Sequence, residues 1–227
     1  MTQSLPLAII AGAGSGLGHA LLSRFEKNGY KVVGLNRSLP SKTDFDVRVV
    51  DLTDQQATSA LIATLIKEYG VPKVIIHNTA QLVIKSLAET TADDFDACWR
   101  SMALSAFVLA KSLMQPIVDN GGGTFIVSGA TASLRGSAKF SAFSSAKFAL
   151  RGLTQSLARE FQPQGVHVVH SILDGIIDTD NSRSLHSLDP SKMMKPEDIA
   201  DVYIGLCQQP KSTWTHECDL RPFDGSF

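Results

Sequence analysis

Four glycines fall within eight residues, Ala11-Gly12-Ala13-Gly14-Ser15-Gly16-Leu17-Gly18, directly after an apolar run and directly before an apolar repeat of helical period. Glycines at such a junction permit a tight strand-to-helix turn, let a pyrophosphate approach the backbone and leave helix N-terminal N–H groups facing the anion. The spacing selects among phosphate loops. Leu17 stands where a G-x-G-x-x-G loop needs its third glycine, and no Lys-Ser/Thr pair follows as a nucleoside-triphosphate loop requires. The pattern that fits is G-x-x-x-G-x-G on Gly12, Gly16 and Gly18.

A cradle of this kind needs a strand before it and a helix after it. Leu5 to Ala11 reads as a strand buried on both faces, and Leu17, Ala20, Leu21 and Phe25 recur at helical spacing until Asn28-Gly29. Lys31 to Leu35 then completes a βαβ unit of the length of one mononucleotide-binding half. The alternation continues to the end. Strands are predicted at Val47–Val50, Val74–Ile76, Thr124–Ser128, Val166–Leu173 and His216–Leu220, with helices over Ala57–Tyr69, Ala92–Val118, Ala142–Phe161 and Pro196–Cys207. The third of these strands ends in Asp51-Leu52-Thr53, the fourth in His77-Asn78-Thr79-Ala80, and the long middle helix is expected to break or bend near Cys98–Ser101.

Strict alternation predicts an α/β fold: a single Rossmann-like, doubly wound parallel sheet of about seven strands with helices on both faces. Ligands in such sheets bind beyond the carboxyl ends of the strands, which gathers Gly12–Gly18, Asn36-Arg37, Asp51, His77–Ala80, Ser128–Ser133 and Asp174–Thr179. Asp180–Lys195 shows no clear period and is expected to be irregular, placed to cover a substrate pocket. The second strand also bears on the ligand. An acidic residue about 20 positions beyond the glycines would bond the ribose hydroxyls of NAD(H) and repel a 2′-phosphate. Here Gly16 leads to Asn36-Arg37, and a guanidinium grips phosphate with two parallel hydrogen bonds, so NADP(H) is favoured over NAD(H).

Composition narrows the partners. With 227 residues, 44% hydrophobic and 19% charged, the chain fits one domain, and a net charge of -1 gives no long-range field to gather nucleic acid. Met1–Ser4 lack a basic leader region and no stretch reads as the roughly 18 apolar residues of a membrane helix, so a cytoplasmic protein is expected. Cys98, Cys207 and Cys218 are too few and too scattered for a disulfide framework or a metal site.

Taken together the motifs resemble the short-chain dehydrogenase/reductase family along almost the whole chain. Asp51 matches the family's adenine-contacting aspartate, and Asp174-Gly175-Ile176-Ile177-Asp178-Thr179 stands on its Pro-Gly-x-x-x-Thr, keeping the Gly and Thr expected at the nicotinamide carboxamide. The resemblance implies a cofactor-binding set of Gly12, Gly14, Ser15, Gly16, Leu17, Gly18, Asn36, Arg37, Asp51, Leu52, Asn78, Lys147, Gly175, Ile177 and Thr179. It also implies a small-molecule substrate and a homodimer or homotetramer built through the two long helices.

The same resemblance places Phe143-Ser144-Ser145-Ala146-Lys147 on the family's Tyr-x-x-x-Lys, Ala130 on its Ser and Ala103 on its Asn. The lysine is kept and three polar groups are absent. Hydride delivery to a ketone develops an alkoxide that must be protonated, and a positioned general acid contributes roughly 10² to 10⁴ in rate. The candidates that remain are Thr131, beside the lost serine, and Asp174, beside the nicotinamide position; Ser128, Ser133, Ser141 and Ser144 are further hydroxyls. Tyr30, Tyr69 and Tyr203, the three tyrosines, are expected in or beside helices away from the strand ends. His77 and His170 read as core histidines, and Arg135 and Lys139 as flanking charges able to hold an anionic substrate. Two functions follow: an NADP(H)-dependent oxidoreductase acting on an activated C=C or carbonyl, or a catalytically silent NADP(H)-binding sensor or scaffold.

Overall fold

The computed structural model describes residues 5–41 and 43–224; Met1–Ser4, read above for a leader, lie outside the described residues. Strand β1 (Leu7–Ala11) is buried throughout, with Leu7, Ile9 and Ala11 in one core and Ala8 and Ile10 in the other. That two-sided burial is why its sequence is continuously apolar. The strand starts two residues later than expected: Leu5 is 58% exposed, and Pro6 has no N–H to give a ladder.

Helix α1 (Leu17–Lys27) returns the chain to β2 (Lys31–Asn36), which lies parallel to β1 with Leu35 opposite Ala11. After β3 (Val47–Val49), helix α2 (Gln55–Tyr69) is capped by Asp54, whose carboxylate accepts from the Ala57 N–H at 3.0 Å, and closes at Gly70 with φ 86°. Then come β4 (Val74–His77) and α3 (Ala92–Trp99), the latter opened by a capping box between Thr91 and Asp94. The predicted break in the long middle helix is a π-helical turn, Arg100–Leu104, before α4 (Ser105–Asp119). The remaining elements are β5 (Gly123–Ser128), α5 (Ser141–Phe161), β6 (Val166–Leu173), α6 (Asp180–Leu185), α7 (Pro196–Cys207) and β7 (Glu217–Leu220).

All seven strands form one parallel sheet in the order β3-β2-β1-β4-β5-β6-β7. The direction of winding reverses between β1 and β4, so the crevice beyond their carboxyl ends is the natural ligand site. One face of the sheet is covered by α2, α3, α4 and α5, the other by α1 and α7, each with its own apolar core.

Two expectations need correction. Residues 180–195 are not irregular: Thr179 accepts from the Ser182 N–H at 3.0 Å and so starts α6, a 3-10 turn follows over Pro190–Lys192, and Met194 bridges to Ile177. The stretch Ala92–Asp119 is also long and apolar enough to cross a membrane by composition alone. In the fold its apolar face, including Leu109, Leu113 and Ile117, is buried in the core against the sheet, as in a core helix.

Candidate functional site

The glycine loop is shaped by contacts that side chains would destroy. Gly12 has φ +84°, and a Cβ there would lie 2.7 Å from the Asn78 carbonyl oxygen. A Cβ on Gly18 would overlap the Gly12 carbonyl, and one on Gly16 would lie 2.7 Å from the Thr179 methyl. Gly14 differs, with no protein atom within 4 Å of such a Cβ, so it faces open space. The Gly12 N–H is spent on the Leu35 carbonyl at 2.8 Å, whereas among the described residues no backbone carbonyl accepts from the N–H groups of Gly14 to Gly18. Those donors open the N-terminus of α1 to an anion. Leu17 is buried in the core, so its part in that cradle is its backbone, and Ser15 is exposed beside it.

A cavity of about 430 Å³ extends from this loop and is lined by Gly14, Asn36, Arg37, Asp51, Leu52 and Asn78. Asp51 accepts from the Thr53 N–H at 2.9 Å and the Thr53 hydroxyl at 2.8 Å, and these bonds hold its carboxyl below the usual carboxylate range. Asn36 donates to the Ser38 carbonyl at 2.9 Å, which leaves Arg37 exposed at the rim. Arg100, not anticipated from sequence, joins the same wall, its Nη2 at 3.5 Å from the Thr53 hydroxyl. It leads the π-helical turn, and helical spacing cannot say which way such a turn faces its side chains.

A second cavity of about 590 Å³ adjoins the first, the two sharing Asn78 and Ala80. It collects Thr131, Phe143, Lys147, Asp174, Gly175 and Ile177 from three separate stretches of the chain. Lys147 is only 3% exposed; its Nζ donates to the Ser128 carbonyl at 2.8 Å and lies 5.7 Å from the centre of the Phe143 ring. Burial pushes this ammonium down to about 8. Thr131 opens a 3-10 turn, Thr131–Ser133, and its hydroxyl donates to Asp174 Oδ1. The other oxygen of Asp174 pairs with Arg221 at 3.2 Å, and Arg221 also pairs with Asp219. Sequence reading missed Arg221, although it directly follows β7, and the strand-end rule applied to that last strand would have found it.

Other expectations resolve here. Ala130 offers a backbone N–H, donated to the Ser133 hydroxyl at 3.1 Å, and Ala103 is buried in the π-helical turn beside the equally apolar Met102. The Thr179 hydroxyl is engaged with Ser182 at 2.9 Å in capping α6. Tyr203 corrects the tyrosine reading. It lies on α7, yet its phenol crosses the core to the Ser128 hydroxyl at 2.9 Å, at the end of β5; burial pushes it up to about 12, which makes it a poor acid. His77 bonds Ser105 at 2.8 Å and Thr79 at 2.9 Å, and burial pushes it down to about 3; His170, also buried, falls to about 4. Neither lines either cavity. Arg135 does line the second one, while Lys139, with φ 71°, uses its carbonyl to accept from the Lys85 N–H at 2.9 Å.

A family model described as short chain dehydrogenase matches residues 6–189. An uncharacterised oxidoreductase of Staphylococcus aureus is 25% identical over 225 residues, covering 95% of this chain and 96% of that one. Among solved structures, a short-chain dehydrogenase from Rhodopseudomonas palustris is 28% identical with a TM-score of 0.79, covering 96% of this chain and 99% of the other. The protein ElxO, solved with NADP bound, shares the fold at a TM-score of 0.86 and 20% identity, covering 96% of this chain and 98% of its own. With the sheet order, the glycine cradle and a match over most of its length, the chain belongs to the short-chain dehydrogenase family.

Proposed function

We propose that the protein is an NADP(H)-dependent oxidoreductase acting on an activated C=C bond or a carbonyl, with a proton donor other than tyrosine. The observation that carries this reading is the pair of adjoining cavities, which run from Arg37 across the switch point of the sheet to Lys147 and Asp174. The residues present suit a dinucleotide. The open N–H groups of Gly14–Gly18 take the pyrophosphate, Asp51 and Leu52 border the adenine position, and Lys147 reaches the nicotinamide end. Arg37, at the rim and with no acidic residue at position 36, supports NADP(H) over NAD(H). ElxO has NADP bound, but at 20% identity it carries the fold alone, so this preference rests on Asn36-Arg37.

When bound, the nicotinamide would supply or accept the hydride. The protein's part is to hold the ring over the second cavity and to manage the proton. Phe143 lines that cavity where the resemblance expects a phenol, and its ring has no proton to give. Conjugate addition spreads charge into a distant carbonyl, so its proton donor need not sit at Phe143.

The test is fluorescence titration with NADPH and NADH, followed by turnover of 2-cyclohexen-1-one, menadione and benzaldehyde at saturating cofactor. Tighter NADPH binding with turnover of at least one compound is expected. NADPH binding without any turnover would assign the silent sensor or scaffold instead, and absence of binding would sink both. Phe143→Tyr is expected to create or raise benzaldehyde reduction, by up to the roughly 10² to 10⁴ that a general acid contributes.

A further inference from the structure

Thr131 and Asp174 are 43 residues apart, on the turn after β5 and the loop after β6, and the fold joins them by a hydrogen bond on the wall of the substrate-side cavity. Arg221, arriving from the end of β7, pairs with the far oxygen of the same carboxylate at 3.2 Å. In that ion pair Asp174 is an acceptor only, so the Thr131 hydroxyl must be the donor between them. The geometry therefore leaves the Thr131 oxygen with its lone pairs directed away from Asp174, free to accept a proton rather than to offer one. Lys147, Arg135 and His186 are the other charged or titratable groups lining this cavity, and Asp219 stands behind Arg221.

We infer that Thr131 and Asp174 form a proton relay that replaces the missing tyrosine, and that the substrate is an alcohol on an apolar body, taken in the direction of oxidation. The inference rests on the NADP(H) reading above. The substrate O–H donates to Thr131 Oγ1; as the carbinol C–H bond breaks and its electron pair leaves as hydride to NADP⁺, the oxidant, the C=O bond forms. The hydroxyl proton passes to Thr131 Oγ1 while Thr131 passes its own to Asp174 Oδ1, so one alcohol and one NADP⁺ give one carbonyl compound, one NADPH and one proton. Reduction of the matching carbonyl runs the same path backwards. The apolar body is argued from Leu82, Ile84, Phe140 and Phe143, which line the same cavity.

The experiment uses the full chain with benzyl alcohol, 1-phenylethanol and 1-octanol at saturating NADP⁺. The expected result is that at least one is oxidised, that Thr131→Val and Asp174→Asn lower kcat by about 10²-fold with NADP⁺ affinity little changed, and that Thr131→Ser restores most of the rate. A readout independent of turnover is the Thr131 methyl signal in threonine-methyl-labelled protein, which should shift on titration with benzyl alcohol and stay still with toluene. Should Thr131→Val keep wild-type kcat, or should none of the three alcohols be oxidised while NADPH still binds, the relay is overturned and the cofactor reading stands. Loss of NADPH binding in the wild-type chain would overturn both.

Discussion

Lys147 brings a charge into a place that strongly disfavours charge, with the Ser128 carbonyl as its hydrogen-bond acceptor and the Phe143 ring nearby. Its ammonium is pushed down to about 8 from an ordinary 10.5 because burial strips its hydration. Below pH 8 the group is protonated in both folded and unfolded chains, and the folded state bears the full desolvation cost. Between pH 8 and 10.5 the folded amine has lost its proton while the unfolded one keeps it, so stability gains with rising pH in that window. Lys147→Met removes the effect. The stability of this variant relative to wild type should therefore fall by about 3 kcal/mol between pH 8 and 10.5, measured by urea unfolding at each pH. A flat difference would mean that the amine is solvated. The residue types at Lys147, Phe143, Thr131 and Asp174 were readable in the sequence, as were the strand-end places of Thr131 and Asp174 and the helical place of Phe143 and Lys147. Their pairing was not, because the Thr131–Asp174 bond depends on how two loops meet, and no spacing rule encodes that.

At the level of elements, the central strands were legible because they are apolar runs between turn residues, and the glycine loop because its spacing has few other uses. What escaped notice was α6, which follows from one threonine hydroxyl; the break in the middle helix was expected, but not that it is a π-helical turn, since an extra residue leaves no compositional mark. The loop itself divides into glycines packed against the protein and one, Gly14, that faces open space. Gly18→Ala sets a Cβ against the Gly12 carbonyl and should cost about 1–3 kcal/mol of stability as well as NADPH affinity. Gly14→Ala meets no protein atom within 4 Å, so its melting temperature should stay near wild type while NADPH affinity falls. Calorimetry of both variants with and without NADPH separates the two roles. Equal destabilisation by the two would contradict the division.

Across the whole molecule, two neutral histidines sit at the heart of the sheet, His77 at the end of β4 and His170 within β6. Burial holds them at about 3 and about 4, against an ordinary value near 6.5, and Lys147 adds to the depression of each. As pH falls below 6.5 the unfolded chain takes up these protons and the folded chain does not, so stability should drop by about 1.4 kcal/mol per histidine per pH unit until the folded values are reached. Chemical denaturation from pH 6.5 to 4.5 should show this slope, reduced in His77→Asn and in His170→Asn relative to wild type; unchanged slopes would place the acid sensitivity elsewhere. The two ends of the site also meet at one residue. The Thr179 methyl occupies the space that a side chain on Gly16 would need, and the same threonine starts α6, which brings Ser182 to the substrate-side cavity and is followed there by His186. One threonine thus borders the glycine loop and caps α6, so filling that loop with NADPH is expected to slow hydrogen exchange of the α6 amides as well.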